Sequence, residues 1–305
     1  MTTPSLSLSL APVAFYWTRE QYFDFYERVA TWPVAGVTLG ETVCSRRRDM
    51  KLTDWLEIGR HLAAAGKQVT LGSQTLIESN ADLRDLAKLC DNGDFMVEAN
   101  DMSAVQRLSA AGLPFVGGLA LNLYNVPTLA ILQRSGMSRF VAPVELPGAD
   151  LATLLGAARQ AGLALECEVL AYGHLPLAWS SRCFTARHHQ YPKDRCQFVC
   201  QRYPEGLSLA TQDDSRRLFT LNGIQTLSGA CQDLRHELGA MAEMGVTTAR
   251  LSPRATGMDE IVDAFDRARH GHLASPSPLS LVDAELCNGY WHGQAGMDLA
   301  PAAGA

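Results

Sequence analysis

Hydrophobic and polar positions follow one repeated pattern along the chain. Each repeat has a short apolar or β-branched segment, a polar loop, and a longer segment with apolar residues at helical spacing, as in Leu52, Trp55, Leu56 and Leu62. The short segment is typical of a buried strand and the longer one of an amphipathic helix. A glycine often follows the helical part, where a left-handed residue closes a helix. The chain is therefore predicted to alternate strands and helices.

This pattern occurs eight times. The predicted strands cover residues 13–17, 34–39, 68–71, 95–98, 115–119, 140–144, 163–170 and 246–251. They are short and largely apolar, as parallel strands covered on both faces should be. Eight strand–helix repeats predict an α/β fold of the (β/α)8 barrel type, and an open doubly wound sheet is the alternative.

One segment interrupts the pattern. Between the seventh strand and a helix predicted to begin near Gly229, residues 171–228 form a connection much longer than compact domains use without a functional reason. Residues 273–305 are rich in Ser, Pro, Ala and Gly. We predict a single barrel-like domain over residues 1–272, with a cysteine-bearing insertion at 171–228, followed by an irregular C-terminal extension at 273–305.

Composition and charge narrow the functional classes. The 305 residues carry a net charge of -6, and the pI is about 5.8. Nucleic-acid binding depends on clustered Lys and Arg, so this charge argues against a nucleic-acid partner. Residues 1–12 lack the basic leader of a secretory signal, and no run of about 18 apolar residues could span a membrane. We expect a cytoplasmic protein without a membrane span.

Three of the eight cysteines, Cys183, Cys196 and Cys200, lie in the insertion. Disulfides are rare in a reducing cytoplasm, whereas thiolates are good ligands for zinc, copper(I) and iron–sulfur clusters. A four-ligand site needs one more thiolate. Cys44 is the best candidate, because it follows the second strand on the barrel face from which the insertion also leaves. The insertion must cross the barrel mouth to reach it.

The residues alone leave three interpretations of these cysteines open. In the first they hold a cluster, whose roughly two negative charges would be offset by nearby cations. The insertion supplies such cations at Arg182, Arg187, Lys193, Arg195 and Arg202. In the second, His188 or His189 replaces a thiolate at a zinc site. In the third, the segment is a solvated charged loop whose cysteines share no role.

Other residues are weaker candidates for chemistry. We expect Cys90 and Cys167 to be small buried hydrophobic residues, Cys231 to pack at a helix start, and Cys287 to pack beside a turn. Side chains that follow predicted strands could meet a substrate; these are Glu98, Asn122, Glu145, Glu168 and His174. The sequence lacks the P-loop, dinucleotide, zincin and serine-hydrolase motifs. We assign no catalytic residue.

Five stretches carry a resemblance to a known family. They are residues 39–48, 172–178, 182–187, 221–226 and 288–291, and they occur in the same order over almost the whole chain. The sequence resembles the UbiV family of dioxygen-independent ubiquinone biosynthesis, which belongs to the collagenase-like U32 peptidase superfamily. The resemblance implies a 4Fe-4S cluster held by Cys44, Cys183, Cys196 and Cys200.

The resemblance also implies partners and a reaction. A UbiU-like protein would form a heterodimer with this chain, and the pair would support ring hydroxylation of a prenylated aromatic quinone precursor. So apolar a substrate implies either a lipid-binding partner protein or a hydrophobic cleft. Two other functions stay open. The superfamily name suggests a peptidase, although the sequence presents no recognisable nucleophile and base, and a cluster could also serve only to staple the insertion of a noncatalytic scaffold.

Overall fold

Eight parallel strands close into a barrel in the computed structural model, which describes residues 6–272 and 285–300. The described strands are β1 Ser7–Leu10, β2 Gly36–Leu39, β3 Gln68–Gly72, β4 Met96–Ala99, β5 Phe115–Gly117, β6 Met137–Val141, β7 Glu166–Trp179, β8 Leu207–Ala210, β9 Arg217–Asn222, β10 Gln225–Asp233, β11 Thr248–Leu251 and β12 Leu286–Cys287. Strands β1 to β7 pair in sequence order, and β11 pairs in parallel with both β1 and β7. The predicted barrel fold is confirmed, with additional strands outside the ring.

Amphipathic helices cover the outside of the barrel. The described helices are α1 Arg19–Val29, α2 Leu52–Ala64, α3 Asn80–Cys90, α4 Met102–Ala110, α5 Val126–Arg134, α6 Gly148–Gln160, α7 Phe184–His188, α8 Leu238–Met244 and α9 Met258–Arg269. In α2, Trp55 and Leu62 are buried as the spacing predicts. Gly245 closes α8 with φ of 98°, a left-handed conformation that glycine adopts without strain. Among the described residues, no helix is long and apolar enough to cross a membrane.

The first strand lies earlier than predicted. It spans Ser7–Leu10, and residues 13–17 form the segment that follows it. Leu8 and Leu10 join the hydrophobic core, and Ser9 between them is buried too. Because side chains alternate across a strand, Ser9 points to the opposite face from the two leucines. The prediction was wrong because it required apolar residues on both faces of the strand, whereas this barrel has a polar interior.

A buried ion network fills that interior. Arg250 of β11 donates from Nε to Glu168 of β7 at 2.7 Å and from Nη2 to Glu98 of β4 at 2.6 Å. Arg139 of β6 also donates to Glu168, at 3.0 Å. Since β4 does not neighbour β7 or β11, these side chains can meet only inside the ring. Glu98 and Glu168, predicted as candidate substrate contacts, therefore belong to the ion network inside the barrel, and Glu98 also lines a cavity at the barrel mouth.

The insertion begins as an extension of the barrel sheet. Strand β7 continues to Trp179, and its outer half pairs with β10, which in turn pairs with β9, all antiparallel. Gly229 therefore lies inside β10, and the following helix starts only at Leu238, so the predicted helix start was wrong. A Cβ atom at Gly229 would lie 2.2 Å from the Arg217 carbonyl oxygen. The glycine marks a close approach of two strands and not a helix boundary.

The C-terminal segment packs back onto the barrel. Strand β12 pairs in parallel with β10, and Trp291 joins the hydrophobic core. A Cβ atom at Gly148, the first residue of α6, would lie 2.6 Å from the Trp291 ring. Part of the predicted irregular extension thus has a fixed place against the barrel. Residues 273–284 and 301–305 of that extension lie outside the described residues.

Candidate metal centre

The four predicted cysteines line one small cavity at the carboxyl end of the barrel. Cys44 comes from the loop after β2, Cys183 precedes α7, and Cys196 and Cys200 follow in the insertion. All four are free thiols, and Cys196 is buried while the others are half-buried. The cavity measures about 20 Å³. In so small a space, any bound group would be in direct contact with the thiols.

A tight loop fixes Cys44. The Glu41 carboxylate accepts hydrogen bonds from the backbone N–H groups of Val43 and Cys44, both at 2.9 Å. The Arg47 N–H donates to the Cys44 carbonyl oxygen at 3.0 Å. Glu41 therefore sets the backbone conformation that presents the thiol. The sequence pattern predicts no role for Glu41, although this residue lies in one of the stretches that carry the family resemblance.

The turn between β9 and β10 fixes Cys183. Cys183 caps the short helix α7, and its sulfur accepts from the Ala186 N–H at 3.4 Å. The Gly223 carbonyl oxygen accepts from the Phe184 N–H at 2.8 Å, and the Gly223 N–H donates to Thr185 Oγ1 at 3.0 Å. Two of the stretches that carry the family resemblance, residues 182–187 and 221–226, are thus in contact here and fix the position of the Cys183 thiol.

The rest of the insertion crosses the barrel mouth, as the predicted site required. Trp17, after β1, donates from Nε1 to the Pro204 carbonyl oxygen at 3.1 Å. Arg46 donates to the Asp194 carbonyl oxygen at 2.7 Å, next to Cys196. Gln201, next to Cys200, donates to Asp49 at 2.8 Å. These contacts tie the cysteine-bearing segment to the loops after β1 and β2, so Cys196 and Cys200 face Cys44.

Arg47 is the main charged group beside the thiols. It donates to the Ala14 carbonyl oxygen at 2.7 Å and to Asn222 Oδ1 at 2.6 Å, and it lies 3.6 Å from Glu41. Burial alone would lower the pKa of Arg47, but the Glu41 carboxylate and the nearby Cys200 and Cys44 raise it overall. The buried, permanently charged Arg47 guanidinium therefore lies beside the sulfurs of Cys44 and Cys200.

Burial makes three of the four thiols harder to ionise. Burial raises the pKa of Cys44, Cys183 and Cys200 above the ordinary value for a thiol, and Arg47 opposes this increase only in part. Metal ligation requires the thiolate, so binding of a metal group would displace protons from these sulfurs. Four soft donors in one enclosed cavity suit a thiolate-bound metal group.

The histidines of the insertion lie outside the cysteine cavity. His188 and His189 are not among the residues that line the cysteine cavity. His189 instead pairs through Nε2 with the Tyr203 hydroxyl at 2.8 Å. The lining residues thus offer four thiols and no histidine, which argues against a zinc site with a histidine ligand.

The remaining cysteines lie away from this cavity and are buried. Cys90 ends α3, Cys167 lies in β7, and Cys287 lies in β12. Cys231 lies within β10 and not at a helix start, which corrects the prediction. Burial raises the pKa of the Cys231 thiol to about 12. These thiols are protonated at neutral pH and are poor nucleophiles or ligands.

A second cavity, of about 100 Å³, lies at the barrel mouth beside His174. Burial lowers the pKa of His174 to about 4, so the imidazole is neutral at neutral pH. Its Nδ1 lies 3.3 Å from the Ala230 carbonyl oxygen, which places the ring proton on that nitrogen. Asn122 and Glu145, by contrast, are exposed, and the Glu145 carboxylate accepts from the Tyr124 hydroxyl at 2.6 Å. Of the predicted strand-end residues, Glu98 and His174 line this cavity, whereas Glu168, Asn122 and Glu145 do not.

Fold and cavity together define an α/β barrel protein with four cysteines gathered at the carboxyl ends of its strands. The sequence matches the family model of peptidase family U32 over residues 33–278, and the chain belongs to this family. Two solved structures resemble it at low identity. The U32 peptidase Mk0906 is 11% identical, with a TM-score of 0.45, over 83% of this chain and 95% of that one. Dihydropteroate synthase from Xanthomonas albilineans is 9% identical, with a TM-score of 0.43, over 90% and 96%.

Proposed function

We propose that this chain is the iron–sulfur subunit of a complex that hydroxylates the ring of a prenylated aromatic quinone precursor without dioxygen, working with a UbiU-like partner. The observation that carries the proposal is the single cavity lined by Cys44, Cys183, Cys196 and Cys200. Membership of the U32 family and the resemblance to UbiV proteins along the chain support it.

The residues around the cavity have distinct roles in this proposal. A bound 4Fe-4S cluster would supply one-electron transfer at the barrel face. The four thiolates would hold it, and Arg47 would offset part of its negative charge. Phe198 and Val199 line the cavity and would limit access of water to the sulfurs. Glu41 and Gly223 keep two of the thiols in place.

Proteolysis has less support. A cysteine nucleophile needs a histidine base within hydrogen-bond reach, and the residues that line the cysteine cavity include no histidine. Cys231 does pair across β7 and β10 with His174. Its thiol is fully buried, however, and its raised pKa keeps it protonated. Neither arrangement is suited to peptide-bond cleavage.

Deletion of the gene is expected to abolish quinone synthesis without dioxygen and to leave aerobic synthesis unchanged. Wild-type protein and a Cys90→Ala variant should restore anaerobic quinone, whereas Cys196→Ala should not. The reason is that Cys196 lines the cavity and Cys90 does not. Quinone is measured by chromatography of lipid extracts, and the amount of each protein by immunoblot. Unchanged anaerobic quinone in the deletion strain would refute the proposal. Disappearance of the Cys196→Ala protein would indicate a scaffold role instead.

A further inference from the structure

A cleft between α2 and α3 is the size of a ligand site. It measures about 410 Å³, compared with about 100 Å³ for the cavity at the barrel mouth. Sites for small molecules commonly range from about 300 to 1,000 Å³. The smaller cavity lies at the barrel mouth, where such sites usually lie, and its lining residues include Phe15 and Trp179. The larger space for an organic molecule lies outside the ring, beside the loops after β2 and β3.

Apolar side chains form the walls of this cleft. Met50, Leu52, Ile77 and Leu89 line it and are only half-buried, and Trp55 forms a fully buried wall. Trp55 is held in place by an edge-to-face contact with Tyr22, with ring centroids 5.1 Å apart. Apolar surface that stays in contact with water is unfavourable, and contiguous apolar patches commonly mark binding sites. The walls favour a ligand with an apolar body.

Two exposed cations at the edge of the cleft form no salt bridge within the described part of the chain. Arg48 and Lys51 both line the cleft on the α2 side and are exposed. Neither forms an ion pair with any carboxylate in the described part of the chain. The acidic side chains on the α3 side are engaged, because Asp85 pairs with Lys88 at 3.1 Å and Asp82 accepts from the Glu78 N–H at 3.1 Å. The charge pattern thus favours an anionic or oxygen-rich end on the ligand.

The cleft adjoins the cysteine cavity. Arg47 lines both, and its guanidinium is the buried cation that faces Cys44 and Cys200. The Arg47 side chain would therefore separate a molecule in the cleft from Cys44 and Cys200.

We propose that the α2–α3 cleft binds an amphipathic molecule, with its apolar body along Leu52, Trp55 and Leu89 and its anionic end at Arg48 and Lys51. This chemistry is shared by a prenylated aromatic acid and by a fatty acid. The cleft is inferred from its lining residues alone, whereas the prenylated compound as its physiological ligand rests on the proposed function. In that case this chain holds the apolar substrate beside its redox centre.

Calorimetric titration of the anaerobically purified full-length protein tests the proposal. The probes are 4-hydroxybenzoate carrying a farnesyl chain, dodecanoate, and 4-hydroxybenzoate without a chain. Ile77→Trp should fill the cleft and weaken binding of the farnesylated probe at least about tenfold, whereas Leu83→Trp, on an exposed position of α3 outside the cleft, should not. The Arg48→Gln, Lys51→Gln double variant should also weaken binding about tenfold, whereas Arg84→Gln, at an exposed position of α3 outside the cleft, should not.

The outcomes separate this proposal from the proposed function. Preference for the farnesylated probe supports the cleft and identifies the prenylated class, and equal binding of dodecanoate supports the cleft with a fatty acid as the ligand. Failure of both chain-bearing probes to bind, or equal binding by wild type and Ile77→Trp, would overturn the proposal. The titration measures binding and needs no turnover. A protein that binds the farnesylated probe but contains no cluster would therefore contradict the proposed function and leave the cleft proposal standing.

Discussion

Replacing Arg250 with methionine is expected to lower the free energy of unfolding by about 3–5 kcal/mol, the usual cost of removing one partner from a buried ion pair. The side chains of Arg250, Glu98 and Glu168 are almost entirely buried. Glu168 would keep Arg139 at 3.0 Å, but Glu98 would retain only the Asn100 amide at 3.4 Å. A carboxylate would thus be left in the barrel core without a cation. Urea unfolding, followed by circular dichroism under anaerobic conditions, measures the change.

Two variants make the Arg250 result specific. Adding Glu98→Gln to Arg250→Met removes the stranded charge and should recover part of the lost stability. Arg60→Met removes an exposed arginine that pairs with Asp94 at 2.6 Å, and it should cost at most about 1 kcal/mol because water screens that pair. Equal effects of Arg250→Met and Arg60→Met would contradict the buried network described here.

Replacing Arg47 with methionine is expected both to destabilise the protein and to reduce its iron content. The variant would leave Glu41 in a largely buried position without a cation, at a cost of about 3–5 kcal/mol. It would also remove the positive charge that faces Cys44 and Cys200. Charge and hydrogen bonds at the sulfurs are among the main means by which proteins stabilise thiolate-bound clusters.

A double variant separates the two effects of Arg47. Glu41→Gln combined with Arg47→Met removes the unpaired carboxylate and should restore part of the stability, but it should not restore the iron content. Arg84→Met, at an exposed position of α3, serves as the control and should change neither quantity. Wild-type iron content in both Arg47 variants would show that this arginine has no influence on the metal group.

The fold was predictable because the strand–helix pattern depends on local spacing. Helical spacing identified α2 and the glycine at its end, and seven of the strands overlap their predicted positions. The first strand was missed because Ser7 and Ser9 do not resemble the apolar strands of an ordinary barrel. The polar interior depends on pairing between Arg250, Glu98 and Glu168, which lie up to 152 residues apart along the chain. No local pattern shows such a contact.

The four cysteines were predictable as a set, whereas their supporting residues were not. Thiols are rare and chemically distinctive, so their spacing in the insertion pointed to a shared site. Glu41, Arg47 and Asn222 are ordinary surface residue types, and their role depends on contacts across the barrel mouth, such as the 2.6 Å hydrogen bond between Arg47 and Asn222. The α2–α3 cleft was not predictable from the sequence, because the residues that line it come from two helices and from the loops after β2 and β3.

Iron and sulfide analysis of the anaerobically purified protein tests the central claim most directly. The wild type is compared with a Cys183→Ala, Cys196→Ala double variant and with Cys90→Ala as a control. We expect about four irons and four sulfides per chain in the wild type and the control, with a broad charge-transfer absorption near 410 nm, and their loss in the double variant. A colourless wild-type protein that contains one zinc per chain would contradict the cluster and the redox function built on it.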